Sequence, residues 1–260
     1  MRVEFIGLPG VGKSTLRRDL LDHLHRIDKK RYLSTEEAFL QVSRLHIDNI
    51  YRRPLNYLPH HMALRVSNKL MNRSLMQFEA QNRFLADKGK ALEAYFASNA
   101  YSKMSLIDRA NVIGSFLEMG SLWQSIDGQL TEEAVVFFEE GFVQKSFMFV
   151  DQSNGSLIEK EKLCSYLENI PVPDVVIYVT ANIETCQRRM MDRPDGLTQR
   201  LKSADKNKIT GFLSTAQHHL TFVAKWLSDN CGEILIEVNS EKGLEEIRPE
   251  VINKIDRLMK

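Results

Sequence analysis

Short apolar runs alternate with longer stretches of helical periodicity along most of this chain. Val3-Glu4-Phe5-Ile6 is a short, mainly apolar run, and beyond a glycine-rich loop Leu16, Leu20, Leu21, Leu24 and Ile27 recur three or four positions apart. That pattern predicts strand, loop, helix. Tyr32-Leu33-Ser34 is a second, short strand candidate. Val135-Val136-Phe137-Phe138, Val175-Val176-Ile177-Tyr178-Val179 and Ile234-Leu235-Ile236 are continuous apolar runs of the kind a parallel sheet buries on both faces. Helix-like sequence follows each. Asn182 with Glu184 predicts one helix start, Ser156 with Glu159 has capping-box spacing for another, and Leu244, Ile247, Val251, Ile255 and Leu258 stripe the last. The alternation predicts an α/β fold: about five parallel strands with helices on both faces.

Residues from about 38 to 130 break the rhythm with polar-interrupted, mostly helical patterns, and predict an inserted helical lobe within a single domain. Arg44, Arg52, Arg53, Arg65, Arg73, Arg83 and Arg109 are spread along it, and Tyr51, Tyr57, His60 and His61 lie near Pro54 and Pro59. Solvated helix faces and a turn account for most of these residues. No internal repeat is evident.

The chain's 260 residues, 43% of them hydrophobic, suffice for a substantial core. Its 35 basic and 34 acidic residues leave a net charge of +1, so any anion binding must be local rather than driven by a global field. Cys164, Cys186 and Cys231 have no metal-like spacing and read as free thiols of a reducing compartment. The N-terminus enters a strand without a leader-like pattern, and no apolar run approaches the roughly 20 residues needed to span a bilayer. The expectation is a cytoplasmic protein that does not enter the membrane.

Gly7-Leu8-Pro9-Gly10-Val11-Gly12-Lys13-Ser14 fits the phosphate-loop pattern G-x-x-x-x-G-K-[ST], after a strand and at the start of a helix. Its glycines let main-chain amides wrap an anion, and the following helix, which Ser14 and Thr15 begin, turns its positive end toward the same phosphates. Lys13 adds a point charge near the terminal phosphate, and the Ser14 hydroxyl is placed to ligate Mg²⁺.

With this loop the chain resembles the P-loop kinases, in particular the nucleoside and nucleotide kinase group of the P-loop NTPase superfamily. The resemblance is specific over residues 1 to 27 and keeps the right order of elements over 131 to 260. It implies ATP and Mg²⁺, a five-stranded parallel sheet, an acceptor-binding helical region between the second and third strands, and an arginine-rich lid. The 38–130 segment would be that acceptor region, and 183–202 that lid. Glu139-Glu140-Gly141-Phe142-Val143-Gln144-Lys145 resembles the D-E-G-F-x-Q-R stretch at the third strand of some P-loop kinases, with Lys145 in place of arginine. Deoxynucleoside kinases usually carry acid-Arg-Ser there. One of Glu139 and Glu140, at a strand's C-terminal end, would meet the metal or its water.

The resemblance also places an acceptor-activating acid after the second strand, at Ser34-Thr35-Glu36-Glu37. Ser34 and Glu37 have capping-box spacing, so Glu36 is the candidate base. In the lid segment Arg189 and Arg193 are four apart, predicting one helix face ended by Pro194-Asp195-Gly196, with Arg188 and Arg200 as lesser candidates. Such guanidiniums neutralise charge on a migrating phosphoryl group and exclude water. Asn239, after the fifth strand, is either a contact to the base or turn chemistry.

Asn253-Lys254-Ile255-Asp256 matches the guanine-specificity motif N-K-x-D, but it lies inside the last helical stripe and no D-x-x-G switch accompanies it. The leading expectation is a kinase acting on a small acceptor: a nucleoside or nucleotide by analogy, with a sugar or other metabolite open. A regulatory or mechanical NTPase acting on a protein partner is the main alternative. A nucleic-acid end kinase is a third, which predicts a basic channel with stacking aromatics. A homodimer is left open.

Overall fold

A computed structural model describes residues 1–45, 57–71, 75–127, 130–131, 133–150, 159–193 and 206–258. Its centre is a five-stranded parallel sheet of β1 (Arg2–Gly7), β2 (Tyr32–Ser34), β3 (Val135–Phe138), β4 (Val175–Thr180) and β5 (Leu235–Asn239), in the spatial order β2-β3-β1-β4-β5. Every neighbouring pair is parallel, with Val3 opposite both Phe137 and Val175. Two of the three apolar runs became strands buried on both faces, with all four residues of β3 and the first five of β4 buried, whereas β5, at the sheet edge, alternates buried and exposed positions.

The first five helices are α1 (Lys13–Asp28), α2 (Thr35–Leu45), α3 (His60–Met71), α4 (Leu75–Phe96) and α5 (Asn99–Ser102). They are followed by α6 (Leu106–Ile126), α7 (Phe142–Lys145), α8 (Lys160–Asn169), α9 (Ile183–Met191), α10 (Lys206–Asn230) and α11 (Leu244–Leu258). Leu16, Leu20, Leu21 and Leu24 of α1 are buried, while Ile27, one turn later, is 66% exposed, so the apolar stripe ends before the helix does. In α11, Ile247, Val251 and Ile255 are buried. The N-K-x-D match lies wholly within this helix, with Ile255 in the core and Lys254 paired to Glu250 at 2.8 Å.

α2 to α6 fill the connection between β2 and β3, and α4 packs against both α6 and α8. An aromatic cluster joins them to the sheet: Phe84 stacks on Phe142 at 5.1 Å, Phe116 meets Phe142 edge-on at 5.1 Å, and Trp123 lies 5.2 Å from Phe138. Each such pair contributes about 0.5–1.5 kcal/mol beyond burial of its area. Gly120 permits this packing, because a Cβ there would collide with the Phe84 ring.

The arginines of this region are mostly surface or structural. Arg65 and Arg83 are exposed, and Arg109 donates to Ser102 O at 2.6 Å while lying over the Tyr101 ring. Arg52, Arg53, Arg73, Tyr51 and Pro54, and the Arg44 side chain, lie outside the described residues. So does Ser156. The capping box expected with it does not form as drawn: Glu159 is itself the N-cap of α8, and its carboxylate accepts from Asn99 N and Lys162 Nζ, both at 2.6 Å. Among the described residues no helix is long and apolar enough to cross a membrane, and the three cysteines are free thiols.

Candidate active site

All five strands run the same way, so the segments that leave their C-terminal ends gather along one edge, and the strand order reverses at β1. The glycine-rich loop leaves β1 at that switch point, the position where open α/β sheets bind ligands. Gly10 has φ +78°, which an L side chain rarely adopts, and a Cβ there would collide with Cys186 O of α9. Gly12, at φ +106°, turns the chain into α1, whose sixteen residues start at Lys13. Val11 N donates to Leu8 O at 3.2 Å to close the turn, and Val11 itself is buried.

Lys13 Nζ donates to Gly7 O at 2.7 Å and Leu8 O at 3.1 Å, folding the side chain back along the loop. Desolvation lowers its ammonium pKa to about 8; Glu140 opposes the fall and the Arg193 charge adds to it. Lys13 and Arg193 therefore share one electrostatic neighbourhood.

The Ser14 hydroxyl donates to Glu139 Oε1 at 2.7 Å, and Arg17 Nη2 donates to Glu139 Oε2 at 2.7 Å. The two adjacent glutamates are thus separated: Glu139 faces the loop, whereas Glu140 lies 3.6 Å from Lys145 Nζ, which also donates to Ser115 Oγ at 2.5 Å. A short hydroxyl–carboxylate pair beside a phosphate loop offers the hard oxygen donors that Mg²⁺ takes. No cluster of three or more His, Cys, Asp or Glu able to hold a metal occurs among the described residues.

Glu37 forms the capping box: its carboxylate accepts from Ser34 N at 3.0 Å, and Glu37 N donates to Ser34 Oγ at 3.2 Å. Its oxygens also lie 3.3 Å from His25 Nε2 and 3.5 Å from His60 Nε2. Glu36 is left exposed at the start of α2, beside the Thr35 hydroxyl at 3.4 Å.

The lid arginines separate. α9 ends at Met191, two residues before Arg193, so the two do not share a helix face as the spacing suggested. Pro194 disfavours helical backbone at the residue before it, which accounts for the early end. Arg189 Nη1 donates to Val11 O and Ser240 Oγ, both at 3.0 Å, and its Nη2 donates to Ser240 O at 3.2 Å. Ser240 Oγ also donates to Val11 O at 2.6 Å. Arg189 thus clamps the phosphate loop to the turn after β5. Arg193 is exposed, while Pro194, Asp195, Gly196, Gln199 and Arg200 lie outside the described residues. Asn239 Oδ1 accepts from Glu241 N at 2.9 Å, an Asx turn that sets the course of the chain after β5.

Four residues of the site make contacts that the sequence does not show. Arg17 lies three positions after Ser14 and therefore on its helix face, a spacing that was available as a signal. Ser240 follows Asn239 in the turn after β5 and belongs to no pattern recognised in the sequence. Gln144 accepts from Gly7 N at 2.8 Å, so the first amide of the loop is engaged within the protein. Glu4, in the middle of β1, is fully buried.

Two solved structures align with nearly the whole chain. A deoxyadenosine kinase from M. mycoides with bound dATP matches 98% of this chain and 100% of its own, with a TM-score of 0.50 at 12% identity. A thymidylate kinase from Candida albicans matches 100% of this chain and 93% of its own, with a TM-score of 0.52 at 12% identity. The fold is that of the P-loop kinases. No protein-family model matches the chain, and no curated protein matches it. The P-loop kinase fold is therefore carried by a sequence far from those two structures.

Proposed function

We propose that this chain transfers the terminal phosphoryl group of ATP to a small acceptor, a nucleoside or nucleotide. The observation that carries the reading is the Ser14–Glu139 pair, 2.7 Å apart, which joins a complete phosphate loop to the end of β3. This pair sits on the sheet edge shared by the β2–α2 turn, where the helical region between β2 and β3 begins. The likeness in fold to a deoxyadenosine kinase and a thymidylate kinase supports the acceptor class.

The main-chain amides of Gly10, Gly12, Lys13 and Ser14 and the start of α1 bind the β- and γ-phosphates, with Lys13 as the point charge between them. Ser14 and Glu139 would hold Mg²⁺, which supplies charge neutralisation at the phosphates when bound, and Arg17 fixes the Glu139 carboxylate in place. Glu36 orients the acceptor hydroxyl and takes its proton. Arg193, whose charge already acts on Lys13, stabilises the spreading charge of the transferring group. Arg189 keeps the loop and the β5 turn, with Asn239 in it, at a fixed separation on the adenine side. Most of the rate enhancement then comes from positioning and electrostatics rather than covalent chemistry.

The test is a screen of the purified chain with ATP and Mg²⁺ against nucleoside, nucleotide and sugar pools, following ADP release. An acceptor of the first two classes is expected to raise ADP formation well above the acceptor-free rate. Turnover stimulated only by a protein partner would replace this reading with that of a regulatory NTPase.

A further inference from the structure

Glu4 is 0% exposed in the middle of β1, between Phe138 of β3 and Val176 of β4. A carboxylate there costs several kcal/mol unless it is hydrogen-bonded, and an apolar side chain would complete the sheet without that cost. Its partners lie 139 and 140 positions away: Glu4 Oε2 accepts from Val143 N at 3.3 Å and Glu4 Oε1 from Gln144 N at 2.7 Å. Gly141 completes the fit, because any Cβ at that position would collide with the Glu4 carboxylate. On the other side, Tyr166 Oη donates to Phe142 O at 2.8 Å.

The segment held this way touches the phosphate loop at both ends. Gln144, whose amide is bound to Glu4, accepts from Gly7 N through its own side chain at 2.8 Å, so Glu4 and Gly7 of one strand are bridged by one residue. At the segment's other end, Glu139 accepts from Ser14 and Arg17.

We infer that Glu4 is a positioning residue: its carboxylate docks the 139–144 segment on β1, so that Gln144 reaches the Gly7 amide and Glu139 stays beside Ser14. The inference rests on the proposed ATP site and adds to it a buried strap that fixes the distance between the loop and the metal-side carboxylate. Glu4 itself touches neither phosphate nor acceptor.

The experiment is calorimetric titration of the full chain with ATP, in EDTA and in excess Mg²⁺, for the wild type, Glu4→Gln, Gln144→Ala and the double variant, with thermal melts as the folding control. Glu4→Gln is isosteric but turns an N–H₂ toward one of the two amides. It is expected to melt cooperatively and to lose at least 10-fold of the affinity gained from Mg²⁺. Gln144→Ala is expected to weaken ATP binding about 5-fold in both conditions. The double variant is expected to fall short of the product of the single effects, since both act through one segment. Multiplicative effects, or Glu4→Gln that melts lower yet binds ATP as the wild type does in both conditions, would overturn the inference. If Glu4→Gln does not fold, Gln144→Ala decides alone: unchanged ATP affinity overturns it. A wild type that binds no ATP in either condition refutes the proposed function itself, and this inference with it.

Discussion

Ser14 Oγ and Glu139 Oε1 lie 2.7 Å apart, although 125 positions separate them in the chain. Of the two adjacent acids only Glu139 bonds the loop serine; Glu140 is turned toward Lys145 and acts on Lys13 through its charge alone. Glu139→Gln is therefore expected to lower kcat by 100-fold or more and to raise the Mg²⁺ concentration needed for half-maximal turnover. Glu140→Gln is expected to change either quantity less than 10-fold. Turnover measured across a Mg²⁺ series separates the two; equal effects would remove the distinction.

The two lid arginines are expected to fail differently. Arg189 makes three charge-assisted hydrogen bonds to Val11 and Ser240, each worth about 1.5–3 kcal/mol in comparable settings. Arg189→Ala should raise the KM for ATP about 10-fold or more with a smaller change in kcat. Arg193→Ala should lower kcat more than it weakens ATP binding. Steady-state kinetics at varied ATP checks the split.

Lys13 titrates near pH 8 because desolvation disfavours its charged form. As pH rises through about 8 the free protein loses the cation, so ATP affinity should fall across that interval. Lys13→Met should bind weakly at every pH and show no such fall. ATP titrations from pH 6.5 to 9.5 test the sign.

How much of this was legible in the sequence follows from which contacts are local. β3 spans the apolar run Val135 to Phe138 and β4 begins with the run Val175 to Val179, because strands buried on both faces leave uninterrupted runs. The phosphate loop was readable because its glycines, Lys13 and Ser14 lie within eight consecutive residues between a strand and a helix. The capping box of Ser34 with Glu37 is local for the same reason. The pairings of Glu4, Arg17 and Gln144 were not legible, because their partners are 122 to 140 positions distant. A lone glutamate in a strand carries no sign of such pairing, and the helix face Arg17 shares with Ser14 does not by itself name Glu139. Arg189 was recognised as important, yet its spacing to Arg193 implied a shared helix that Pro194 prevents.

His219 of α10 is buried, and its Nε2 lies 3.0 Å from Ser146 Oγ. Burial lowers its pKa from 6.5 to about 4. The unfolded chain therefore takes up this proton first, and stability falls as pH drops from about 6.5 to about 4. The contribution lost over that window is about 3 kcal/mol. His219→Asn should flatten this part of the acid profile, read by denaturant melts between pH 7 and pH 4. An unchanged slope would assign the acid sensitivity elsewhere.

Label transfer decides whether this chain moves the terminal phosphoryl group of ATP to an acceptor. With γ-labelled ATP, Mg²⁺ and a nucleoside or nucleotide pool, the account predicts label in a phosphorylated acceptor, lost in Lys13→Ala. Label released only as inorganic phosphate, at a rate indifferent to every acceptor, would contradict it.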